Sequence, residues 1–120
     1  MAAVAWTPSA RLKEAALLRA QPLSASLELT YRCNWRCVFC YNPRHHDRRA
    51  LSVAEWCAVL DDLRTLGTLY VALTGGEPLV HPGFLALARA VRERAFALRI
   101  LTNGAPVSYT HLTLPTILLV

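Results

Sequence analysis

The chain contains no run approaching the roughly 20 consecutive apolar residues that a membrane-spanning helix needs, although 54% of its 120 residues are hydrophobic. Its opening stretch, Met1 to Trp6, is too short for the apolar segment of a secretory signal. These absences lead to the expectation of a cytoplasmic protein without a membrane partner, one domain at most, with enough apolar material for a core. Lysine is almost missing: 12 arginines and one lysine face eight acids, and the resulting net charge of +5 is spread from Arg11 to Arg99 without a block. A basic stripe interleaved with aromatics would mark a nucleic-acid binder. Only Arg32, Arg36, Arg44, Arg48 and Arg49 come near one, and they read as a solvated rim, so nucleic acid is not an expected partner. Cysteine is scarce too, with four in the chain. In a reducing compartment these are metal ligands or free thiols rather than disulfides.

What is present is concentrated in one short run, Cys33-Asn34-Trp35-Arg36-Cys37-Val38-Phe39-Cys40. The spacing C-x3-C-x2-C brings three thiolates around one point on a tight loop, one ligand short of a closed four-ligand site. An open position on a metal centre is where chemistry can occur. Cys57 stands apart.

The surrounding periodicities give an order of elements. Thr7-Pro8, followed by Leu12, Ala16 and Leu17, predicts a helix that Gln21-Pro22 ends. Leu27, Leu29 and Tyr31 alternate with Glu28 and Thr30, which predicts a strand running into the cysteine loop. Ser52-Val53-Ala54-Glu55 is a capping box with Leu51 placed to staple against Trp56. The helix it opens has Val53, Trp56, Cys57, Leu60 and Leu63 on one face and Gly67 as a left-handed stop, so Cys57 is read as core. Leu69 to Leu73 reads as a strand with both faces covered, Pro82 opens a helix with Phe84, Leu87, Ala88 and Val91 on one face, and Ala97 to Leu101 is a third strand.

Strand, helix, strand, helix, strand implies α/β architecture: a parallel sheet with right-handed crossovers, in an open sheet or a β/α barrel. The cysteine loop, Gly75-Gly76-Glu77-Pro78 and Asn103-Gly104 each follow a strand's carboxyl end, the rim where such folds build active sites. Three thiolates can hold three irons of a [4Fe-4S] cluster and leave the fourth open to a chelating amine and carboxylate. Gly75 and Gly76, lacking β-carbons, would let backbone approach a ligand, and Glu77 offers a carboxylate to an ammonium group. Alone, a Gly-Gly-Glu-Pro run is an ordinary turn.

Together these residues resemble the radical S-adenosylmethionine (radical SAM) enzymes, whose hallmark is C-x3-C-x-aromatic-C after the first strand of a partial β/α barrel. Cys33, Cys37, Phe39 and Cys40 match it, and Gly75 to Pro78 match the family's glycine-rich methionine-binding segment. The resemblance covers residues 24–106 and implies the N-terminal portion of a partial (β/α)6 TIM-like barrel. It implies a [4Fe-4S] cluster on Cys33, Cys37 and Cys40, with Phe39, Gly75, Gly76, Glu77, Pro78 and Asn103 around S-adenosyl-L-methionine. For Asn103 a turn-forming Asn-Gly reads equally well. The activity implied is reductive cleavage of S-adenosylmethionine to a 5′-deoxyadenosyl radical that abstracts hydrogen, with a flavodoxin- or ferredoxin-type reductant as partner. Glu28 to Cys33 and Cys40 to Pro43 resemble the peptide-modifying branch with a C-terminal SPASM-type cluster domain, including maturases of pyrroloquinoline quinone type, which implies a peptide substrate.

The rival is a structural zinc module in which His45 or His46 joins the three cysteines as a closed Cys3His site. It leaves Gly75 to Pro78 without a role. A Cys37-x-x-Cys40 thiol redox pair fails because that motif opens a helix, whereas here a loop with Pro43 follows. Val107 to Thr116 resembles the translation of a transposase adapter from sequencing-library preparation. The expected division is therefore residues 1–23 as helix and lead-in, 24–106 as a partial, truncated radical SAM core, and 107–120 as non-native tail. On that division the chain is an inactive fragment of a larger enzyme.

Overall fold

A computed structural model describes residues 8–42 and 49–105. Thr7, Arg44, His45, His46, Arg48 and the whole segment 107–120 lie outside the described residues, and with them both candidates for a fourth zinc ligand and the adapter-like tail.

Helix α1 (Pro8–Leu18) leads into strand β1 (Ser24–Glu28), followed by α2 (Val53–Thr65), β2 (Tyr70–Thr74), a 3-10 turn (Pro78–Val80), α3 (Phe84–Glu93) and β3 (Ala97–Ile100). The three strands form one parallel sheet in the order β1-β2-β3. Ser24 pairs with Tyr70 and Glu28 with Thr74 on one side, while Tyr70 pairs with Ala97 and Leu73 with Ile100 on the other. This is the α/β alternation of a partial TIM-like fold.

Local chemistry sets the element ends. At α2 the Ser52 hydroxyl accepts from the Glu55 amide and the Glu55 carboxylate accepts from the Ser52 amide, so the capping box closes reciprocally. Arg49 also donates to Glu55, and with the Ser52 amide it holds the Glu55 carboxyl below its ordinary pKa, the Ser52 bond being the larger cause. The helix ends in a Schellman motif: the Gly67 amide donates to Arg64 O and the Thr68 amide to Leu63 O, with Gly67 at φ +85°. Arg94, just past α3, donates to Asp61 on α2 at 2.6 Å and holds that carboxyl below its usual range.

The core lies between the sheet and the pair α2 and α3. Leu27, Leu29, Val71, Leu73 and Ile100 from the sheet side meet Trp56, Leu60, Phe84, Leu87 and Val91. Burying a side chain of this size contributes about 1.5–3 kcal/mol. Cys57, read from the sequence as core, is partly buried and packs against this cluster from its edge.

Four expectations change. Of the apolar positions on α1 only Ala16 is buried; Leu12 and Leu17 face solvent, because nothing among the described residues packs over them. The alternation in β1 breaks at its end, where Thr30 is buried and Tyr31 exposed. Ladder pairing stops at Glu28 and the chain curls over the loop after β2, which turns Thr30 inward. Strand β2 is covered on one face only: Val71 and Leu73 are fully buried, while Tyr70 on the other face is 56% exposed. Helices α2 and α3 lie on a single side, so the apolar run does not report two covers. Finally, α3 begins at Phe84, after a separate 3-10 turn opened by Pro78.

Candidate active site at the carboxyl ends of the strands

Three loops leave the same edge of the sheet, after β1, β2 and β3, and they touch. The contact between the first two is backbone on backbone. Gly76 N donates to Thr30 O at 2.7 Å and Glu77 N to Arg32 O at 2.9 Å. A β-carbon on Gly75 would sit 2.2 Å from Thr30 O, and one on Gly76 would sit 2.3 Å from Arg32 O and 2.6 Å from Tyr31 O. Gly75 also adopts φ +138°, a conformation that side-chain-bearing residues rarely take. The structural requirement for both glycines is thus the close passage of residues 30–32, immediately before Cys33.

Glu77 is 1% exposed. Its Oε1 accepts from the Leu79 amide at 3.1 Å and from the Thr102 hydroxyl at 2.6 Å, while Oε2 accepts from the Asn103 amide at 2.9 Å. The carboxylate that could face a ligand's ammonium group is turned into the protein, where it joins the second loop to the third. Asn103 makes a turn and a contact at once: its Oδ1 accepts from the Ala105 amide at 2.9 Å, and its Nδ2 donates to Asn34 Oδ1 at 2.8 Å. Pro78 is buried at the start of the 3-10 turn.

The cysteine loop lies on these supports. Cys40 N donates to Cys37 O at 3.2 Å, and all three thiols are free, Cys37 exposed and the other two half-buried. Cys33 Sγ accepts from the Trp35 amide at 3.4 Å, and the Cys40 thiol donates to Asn42 O at 3.3 Å. The Tyr41 hydroxyl donates to Gly75 O at 3.0 Å and Asn42 Nδ2 to Tyr31 O at 3.3 Å, tying the far end of the loop back to its base. Phe39 stands out from the loop, 92% exposed. Among the described residues no three His, Cys, Asp or Glu side chains are gathered in a metal-holding arrangement. The loop carries the donors without converging them. Three unbridged thiols on one turn are nevertheless the donor chemistry that an iron-sulfur cluster takes, and ligand convergence on metal binding is ordinary for such sites.

Sequence reasoning placed the cysteines, the glycine run and Asn103 on one rim, and they are there. It missed Tyr41, Asn34 and Thr102 as the connectors. Only the polarity of Asn34, an uncharged polar side chain between two cysteines, could have signalled one of them.

A sequence profile of the Radical SAM superfamily matches residues 27–114. Over 89 residues the chain is 37% identical to the PqqA peptide cyclase of Gluconobacter oxydans, covering 72% of this chain and 25% of that relative. The PqqA peptide cyclase of Ruegeria pomeroyi is 35% identical over 85 residues, 69% of this chain and 23% of the relative. Among solved structures, Streptococcus suis SuiB bound to S-adenosylmethionine superposes with a TM-score of 0.71 at 26% identity, over 87% of this chain and 25% of SuiB. SuiB bound to precursor peptide SuiA gives the same TM-score and coverage. The chain thus spans about a quarter of the length of the proteins it matches.

Proposed function

Because this chain belongs to the radical SAM superfamily, we propose that it is the cluster- and S-adenosylmethionine-binding portion of a peptide-modifying enzyme. The supporting observation is the rim: three free thiols on the loop after β1, held at their base by Gly75 and Gly76 from the loop after β2. The relatives named for cyclising a peptide and the neighbour bound to a precursor peptide support a peptide as substrate of the whole enzyme.

On this reading Cys33, Cys37 and Cys40 would each ligate one iron of a [4Fe-4S] cluster, and the described residues of the loop include no further Cys or His. The chemistry supplied when cluster and S-adenosylmethionine are bound is one-electron cleavage of the sulfonium to a 5′-deoxyadenosyl radical for hydrogen abstraction. Residues Gly75 to Pro78 border the methionyl end. With both oxygens of Glu77 engaged inward, their contribution is backbone and shape rather than a free carboxylate. Phe39, unhindered on the loop, is free to close over adenine, and Asn103 stands at the edge of the same site. A flavodoxin or ferredoxin would supply the electron, in a cytoplasmic setting. No helix among the described residues is long and apolar enough to cross a membrane.

The chain alone should not turn over a peptide, because the sheet face opposite the helices is open at Tyr70 and the chain spans about a quarter of the length of the enzymes it matches. We assign residues 24–106 to the core and 107–120 to a non-native tail, although the family match runs on to residue 114. A source locus reading through Val107 to Thr116 unchanged would remove that assignment. Anaerobic reconstitution with iron and sulfide tests the main reading. A broad absorption near roughly 400 nm should appear in the wild-type chain and vanish when Cys33, Cys37 and Cys40 are all changed to alanine. Its absence from the wild type refutes the cluster, and tight zinc uptake without sulfide favours a structural zinc site.

A further inference from the structure

Asn103 is fixed at three points that have nothing to do with a ligand, one on its backbone and two on its side chain. Its backbone N–H donates to Glu77 Oε2, its side-chain Oδ1 accepts from the Ala105 amide, and its Nδ2 donates to Asn34 Oδ1. Because Oδ1 accepts from a backbone N–H, the oxygen and nitrogen of this amide are assigned by the network rather than by choice. The nitrogen so oriented lies 3.9 Å from Cys33 Sγ. Neither the turn nor the Glu77 bridge requires that proximity.

We propose that Asn103 is a positioning residue for the cluster itself: it donates an N–H···S hydrogen bond to the Cys33 thiolate and thereby raises the cluster's reduction potential. This rests on the cluster reading given above. A neutral thiol at 3.9 Å is a weak acceptor, but a metal-bound thiolate carries charge, and charge-assisted bonds are shorter and stronger. Reduction adds one electron to the cluster, and a donor aimed at its sulfur stabilises the added charge. Hydrogen bonds to cluster sulfurs are among the levers that set these potentials. The donor comes from the third strand's loop, so the electronic setting of the first loop depends on a residue 70 positions away. Glu77 acts one step behind it by fixing the Asn103 backbone.

The test is the midpoint potential of the reconstituted chain, read by EPR-monitored titration. Asn103→Leu keeps the size and removes the donor. The expected result is a more negative potential, about a tenfold shift toward the oxidised state, or about 59 mV for one electron. Thr102→Val removes the hydroxyl's bond to Glu77 and the one it accepts from the Gly104 amide, but leaves the three partners of Asn103 in place, and its potential should stay at the wild-type value. An unchanged potential in Asn103→Leu, or an equal shift in Thr102→Val, overturns the inference. Should Asn103→Leu fail to take up a cluster, pulsed EPR decides on a chain carrying Asn34→Asp and Asn42→Asp, in which Asn103 is the sole remaining asparagine. With asparagine labelled by 15N in the side-chain amide, a hyperfine coupling to the reduced cluster supports the proposal and its absence overturns it. A wild-type chain that takes up no cluster overturns the cluster reading and this inference with it, whereas a loaded cluster indifferent to Asn103 overturns this inference alone.

Discussion

Replacing Gly76 by alanine should do more damage than its size implies, and the reason is geometric. The added methyl would lie 2.3 Å from Arg32 O and 2.6 Å from Tyr31 O, both backbone atoms that no side-chain rotation can move aside. Restoring ordinary contact requires the 30–32 segment to withdraw by roughly 1 Å, and overpacking of that kind costs typically about 1–3 kcal/mol. Because the obstacle is main chain bonded to the same loop, the upper value applies, about 3 kcal/mol. Gly104 provides the control. It has φ +72° but nothing within 4 Å of its would-be β-carbon, so Gly104→Ala carries only the left-handed backbone penalty, roughly 1 kcal/mol. Urea unfolding of the two variants should therefore separate them by about 2 kcal/mol, a large part of a domain's usual stability. Iron uptake should separate them further, since the displaced segment runs directly into Cys33. A Gly76→Ala chain as stable as Gly104→Ala, with wild-type iron content, would refute the close-passage argument.

Other outcomes follow from single contacts. Glu77→Gln places an amide donor against one of the three donors that Glu77 now satisfies, and should lose about 2–3 kcal/mol in urea unfolding, the range for buried hydrogen bonds to a charged group left unmade. Ser52→Ala removes the cap that accepts from the Glu55 amide and should cost about 1 kcal/mol by the same measurement. The Glu55 carboxyl is held below the ordinary glutamate pKa by its bonds from the Ser52 amide and Arg49, so its contribution is present above that ordinary value and disappears as pH falls through the lower folded pKa; Glu55→Gln should flatten the acid limb of a stability-versus-pH curve in that window. Tyr41→Phe breaks the bond to Gly75 O on an exposed side chain; it should leave global stability within about 1 kcal/mol while hydrogen exchange at residues 33–42 quickens.

What could be read from the sequence was whatever depends on neighbours a few residues apart. The capping box at Ser52 and Glu55, the Gly67 stop and the spacing of Cys33, Cys37 and Cys40 are local patterns, and each lies where its chemistry puts it. What could not be read depends on partners far along the chain. Thr30 looks like a solvent-facing strand residue until the β2 loop is known to pass over it. The inward turn of Glu77 is decided by Thr102 and Asn103, 25 and 26 residues later. The open face of β2 is invisible in an apolar run, since Leu69 to Leu73 has the same composition whether one face is covered or two.

These distant contacts change what the glycine run means. A cysteine loop without regular structure has no reason of its own to hold three donors near one place, and among the described residues its far end is tied down through the side chains of Tyr41 and Asn42. Its near end is fixed instead by the backbone bonds to Gly76 and Glu77, which exist because two successive residues there present no β-carbon. The segment expected to receive the methionyl group is therefore also the floor on which the cluster loop rests. A ligand bridging the cluster and residues 75–78 would bear on two parts already in contact, so that moving either displaces both. Substitutions at Gly75 or Gly76 should consequently weaken cluster uptake even before S-adenosylmethionine is added, whereas a purely ligand-facing pair of glycines would leave uptake intact and raise only the apparent dissociation constant of the ligand.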